Sequence, residues 1–151
     1  MNWFDIVSND VSRLEDCIKY YSDEYSRASL ECKLSGVLEK ASMAMPGIVE
    51  MRYTQLQEIE GILEFLNIEL RQLKSFHYRK YLETYARALS SRECEKYVEG
   101  EADVAEFEKI INRFALLRNK FISISRALDQ KQWQITNIVK LRCAGLEDAT
   151  L

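Results

Sequence analysis

An all-α fold is predicted for this chain, and three features carry that prediction. Proline occurs once and glycine five times in 151 residues, too few turn formers for a sandwich or a barrel. Apolar residues recur at alternating steps of three and four along three long stretches, the spacing that lines one face of a helix. Apolar residues make up 47% and charged residues 30%, a balance that supports a buried core and argues against disorder. One helical domain covering residues 1–151 is expected at this length.

The first seam runs through Val11, Leu14, Ile18, Tyr21, Tyr25, Ala28 and Cys32 and predicts a helix over 10–42. Met45, Pro46 and Gly47 are expected to end it, because proline lacks an amide donor and disfavours helical geometry in the residue before it. Leu56, Ile59, Leu63, Leu66, Leu70 and Leu73 form the second seam, within a helix expected over 47–89. Such a helix would be about 60 Å long, more than the width of a small domain. It is therefore expected to form a long antiparallel hairpin with the first helix, to pair with other chains, or both.

Ser90 with Glu93, and Asp103 with Glu106, each offer a capping pattern for a helix start, and Gly100 suits a stop between them. A short helix over 91–98 follows. Ile110, Phe114, Leu117, Phe121, Ile124 and Leu128 make the third seam, and C-terminal helices are expected over 104–143, the last of them from Lys131 to Cys143 with Gly145 as its stop. The seams are narrow and sustained, which predicts coiled-coil-like homo-oligomers; an ordinary intramolecular bundle is the alternative.

Charge is segregated along the chain. Residues 71–92 hold six cations against one anion, residues 93–108 one against seven, and residues 109–142 eight against one. A cationic stretch among aromatics, Phe76 to Arg92, stands out within a chain of net charge -3. On a helix, Phe76, Arg79, Lys80, Glu83 and Arg87 project to one side, and Tyr78, Tyr81, Leu82, Tyr85 and Leu89 to the other. The cationic side is suited to tracking phosphates, and Phe76 or His77 to stacking on unpaired bases. Arg92 extends this block, and Lys109, Arg113 and Lys120 form a second basic stripe on the third seam's outer face. The alternative reading is that the two blocks are neutralised by the acidic run between them. The tyrosines have core packing as their default reading.

Catalysis is not expected. The single histidine, His77, excludes metal sites that need two, and neither GxGxxG nor GxxxxGK[ST] occurs. No metal or cofactor is predicted. Cys17, Cys32, Cys94 and Cys143 contain no CxxC pair, and no leader or membrane-spanning apolar run is seen, so a soluble cytoplasmic protein with reduced thiols is expected.

Two segments carry a family resemblance. "RKYLETY", Arg79 to Tyr85, and "WQITNIVKLR", Trp133 to Arg142, resemble the phage recombination mediator family, the UvsY-like proteins, with similarity over about Leu70 to Ala144. The resemblance implies a helical homo-oligomer in the host cytoplasm that binds single-stranded DNA and helps load a RecA-type recombinase onto strands coated by single-strand-binding protein. It also implies DNA contacts at Arg79 and at position 81, where this chain has tyrosine beside Lys80. A helical scaffold or adaptor acting through protein contacts is the main alternative function. A DNA mimic built on Glu93 to Glu108 is a third.

Overall fold

The structure is a computed structural model and describes residues 2–85 and 87–146. It is all-α, with no strand among the described residues: α1 Trp3–Asn9, a 3₁₀ turn Val11–Arg13, α2 Leu14–Glu31, α3 Leu38–Thr84, α4 Ser91–Glu99 and α5 Ala102–Cys143. None of these helices is long and apolar enough to cross a membrane. Where length suggested one domain, the chain divides into two compact units. The first is Met1–Ile18 with Glu58–Leu117, and the second is Lys19–Gln57 with Arg118–Leu151.

In the first unit, α1 is an element the seams did not announce. Asn2 caps it by accepting the Asp5 amide, and the Glu58 carboxylate on α3 accepts the amides of Trp3 and Phe4, so a negative charge meets the positive end of the helix. Asp10 is extended, with φ -147°, and its carboxylate takes the Ser12 amide at 3.0 Å and the Ser12 hydroxyl at 2.6 Å. The expected start at Asp10 therefore holds, as a cap. Trp3, Val7, Leu14 and Cys17 are buried, as are Ile59, Ile62, Leu63, Leu66, Phe114 and Leu117.

Corrections to the predicted boundaries begin in the second unit. The first long helix ends at Glu31, not at 42: Lys131 closes its end by donating to the Glu31 carbonyl at 2.6 Å, and Gly36, at φ +79°, turns the chain before α3 begins at Leu38. The predicted break at Met45–Gly47 is absent: Pro46 and Gly47 lie inside α3. An interior proline costs about 3 kcal/mol. Here Met45 is buried with Ala28, Ile124, Leu128 and Ile135, with Ile48 and Val49 packed against them, and that burial outweighs the local cost.

Further along, α3 stops at Thr84 rather than at 89. The chain leaves the helix there so that α4 can return and stack Tyr97 on Tyr81, ring centroids 5.4 Å apart. The Ser90 and Glu93 capping box is present, and α4 runs to Glu99, one residue past expectation. In place of two C-terminal helices, α5 is continuous from Ala102 to Cys143, since Leu128 and Ile135 belong to one buried cluster and no glycine or proline separates them. Asp103 lies in its first turn rather than as a cap. Gly145, at φ +72°, ends α5 as predicted, with the Leu146 amide reaching back to the Leu141 carbonyl at 2.9 Å.

Candidate nucleic-acid interface

The C-terminal third of α3, within the first unit, carries most of the predicted site. Arg79 and Lys80 are exposed and, among the described residues, form no ion pair; the Lys80 ammonium lies 6.0 Å from the Tyr81 ring. Phe76 is 66% exposed, with its ring edge-on to His77 at 5.5 Å. An exposed phenyl group on a surface helix loses hydrophobic stabilisation unless something covers it.

Two residues were counted in the basic block but not assigned to the site, Arg71 and Lys74, and Lys74 is paired with Glu108 at 2.6 Å. Arg71 is exposed and stands two helical turns before Arg79, and both line a surface hollow of about 370 Å³ with Gln72, Ser75 and Phe76. The spacing i, i+4, i+8 of Arg71, Ser75 and Arg79 was the available signal. Arg71 and Arg79 also border a larger groove of about 880 Å³ between α3 and α4, which Tyr78, Leu82, Val98, Glu95 and Glu99 help to line. Its two walls carry opposite charge.

The remaining predicted cations divide. Arg87 lies beyond the end of α3, so it does not share the helical face of Arg79, and its guanidinium is 3.2 Å from Glu93. Arg92 is exposed in the first turn of α4. Lys109 is exposed on α5, whereas Arg113 is bound through its two terminal guanidinium nitrogens to the Glu15 carboxylate, which that contact holds below its ordinary pKa. Lys120 belongs to the second unit and sits 5.2 Å over the Tyr25 ring. Among the described residues, the second stripe therefore contributes to the first unit one cation with no ion pair, Lys109.

His77 overturns its prediction. It is 6% exposed, too buried to stack on a base, and its Nε2 lies 2.8 Å from the Asp103 carboxylate. Hydrogen bonding to His77 holds Asp103 below its ordinary pKa. Tyr81, the position where the resemblance implied a DNA contact, donates to Glu101 at 2.6 Å, and that bond raises its pKa to about 12. Tyr81, Tyr85 and Tyr97 form a ring cluster at 5.4 to 6.0 Å that joins the end of α3 to α4. Among the described residues, His77, Glu101 and Asp103 bring their ligand atoms within 4.8 Å of one another and could hold a metal ion.

A second polar cluster escaped sequence reasoning altogether. Arg52, 1% exposed in the second unit, donates to both oxygens of Glu31 at 2.7 and 2.8 Å, to Glu24 at 2.6 Å and to Gln55 at 2.8 Å. Burial pushes the Glu24 pKa up, but hydrogen bonds from Gln55 and Arg52 outweigh it and leave the group below its ordinary value. All three nitrogens of this guanidinium donate to acceptors already in the fold, so it serves packing rather than ligand binding. No family model, curated protein or solved structure matches the chain.

Proposed function

We propose that the protein is a non-catalytic single-stranded DNA-binding protein whose strand lies along α3, over Arg71, Phe76, Arg79 and Lys80. The observation that supports this reading most is one hollow on α3 lined by two arginines that form no ion pair among the described residues and by an exposed aromatic ring. Guanidinium groups neutralise successive phosphates, and a phenyl face stacks on any base, which is how single strands are held without sequence readout. Arg92 and Lys109 add cations on neighbouring elements of the same unit. The recombination mediator resemblance supplies the finer role, exchange of single-strand-binding protein for a RecA-type recombinase in a host cytoplasm.

Self-association belongs to the same proposal, on altered grounds. The seams expected to join chains are largely buried within this one, so assembly falls to other apolar side chains, among them Leu116 at 62%, Trp133 at 64% and Met43 at 77% exposure. Those side chains also support the scaffold or adaptor reading. Phe76→Ala separates the two functions: it should weaken single-strand binding by about 1–3 kcal/mol, the loss of one stacked base, and Phe76→Trp should retain it. A Phe76→Ala protein that binds oligonucleotides as the parent does, measured by fluorescence anisotropy, would leave the adaptor reading in its place.

A further inference from the structure

His77 is the single histidine of the chain, and its two ring nitrogens meet different surroundings. Nε2 is 2.8 Å from Asp103 Oδ2 at the start of α5. A carboxylate oxygen at that distance is an acceptor, so Nε2 is assigned as the donating nitrogen. In the neutral imidazole that tautomer leaves the Nδ1 lone pair unprotonated. Nδ1 is buried, has no hydrogen-bond partner, and lies 3.6 Å from Glu101 Oε1. A lone pair facing a carboxylate oxygen in a buried setting is unfavourable unless something positive joins them.

The separation discriminates between candidates. At 3.6 Å it is too long for a hydrogen bond. Two metal–ligand bonds of about 2.1 Å meeting at about 118° span the same distance, near the angle of a tetrahedral zinc centre. The supporting shell is also in place: Asp103 receives the other imidazole N–H, the arrangement that orients metal-binding histidines, and Tyr81 holds Glu101 by a 2.6 Å hydrogen bond. One nitrogen and one carboxylate oxygen suit a borderline cation such as Zn²⁺ better than Mg²⁺ or Ca²⁺.

We propose that the protein binds one divalent transition-metal ion of the zinc class between His77 Nδ1 and the Glu101 carboxylate, with Asp103 orienting the ring and water completing the coordination. The ion ties the C-terminal part of α3 to the start of α5. The inference is independent of nucleic-acid binding, since neither ligand faces the Arg71 and Arg79 hollow.

Chelator-treated full-length protein titrated with Zn²⁺ by calorimetry should take up one ion per chain, with a cobalt d–d absorption when Co²⁺ replaces zinc. His77→Gln and Glu101→Gln should each abolish uptake, Asp103→Asn should weaken it by about 10- to 100-fold, and Cys143→Ser should leave it unchanged. To separate loss of the site from loss of the fold, ¹⁵N imidazole spectra of the unmutated protein provide a second reading: zinc should shift Nδ1 while Nε2 keeps its proton. Absence of uptake, uptake that leaves the His77 resonances unmoved, or an imidazolium that bridges both carboxylates and excludes zinc would each overturn the proposal.

Discussion

Arg52 shows how a single buried side chain governs stability in the second unit. Its guanidinium neutralises Glu24 and Glu31, so Arg52→Met should cost about 3–5 kcal/mol by leaving buried carboxylate charge uncompensated, read from the urea midpoint. Glu24 sets the pH sign. Its folded pKa lies below the ordinary 4.5, so its contribution is present above pH 4.5 and is lost as pH falls through the folded value. In Arg52→Met that acid-labile component should shrink, leaving the part held by Gln55 and Arg27. Tyr81 has the opposite sign: its pKa rises from 10.0 to about 12, so its contribution is present below pH 10 and lost as pH climbs through 12. A tyrosinate absorbance titration should contain one late-ionising group that Tyr81→Phe removes. Exposed Phe76 and packed Tyr81 were legible from helical spacing. His77 and Arg52 were not, because their partners, Asp103 at 26 positions away and Glu31 at 21, follow no periodicity.

Among the elements, the three seams were read correctly because a stripe of apolar residues needs only local spacing to be visible. Leu14, Ile18, Tyr21, Leu56, Ile59, Phe114 and Phe121 are all buried. Punctuation was harder, since its outcome depends on distant packing. The chain turns at Gly36 between two helices, whereas Pro46 and Gly47 lie inside one, and the buried Met45 cluster accounts for that continuity. Gly47 has open space where a Cβ would stand and an ordinary helical backbone, so Gly47→Ala should stabilise the protein by about 0.5–1 kcal/mol. Ser90 accepts the Glu93 amide at the start of α4, and Ser90→Ala should lose about 1 kcal/mol. Both changes are measurable as shifts in thermal midpoint. Should Gly47→Ala destabilise instead, the continuous path of α3 through Pro46 would be wrong.

For the whole molecule, net charge of -3 predicts little about nucleic-acid binding, because local field decides it. The basic block at 71–92 was legible by counting, and its surviving members are Arg71, Arg79, Lys80 and Arg92. What counting could not supply was the pairing: Arg87 meets Glu93 and Arg113 meets Glu15, contacts set by where chain segments return. The most direct measurement is the salt dependence of oligodeoxynucleotide binding by fluorescence anisotropy, parent against the Arg79→Ala, Lys80→Ala double variant. For single strands the slope of log K on log salt changes by about 0.7 per phosphate contact, so the double variant should bind more weakly with a slope flatter by about 1.4. Equal affinity and equal slope in the two proteins, or no binding by the parent even at low salt, would contradict a strand lying along α3.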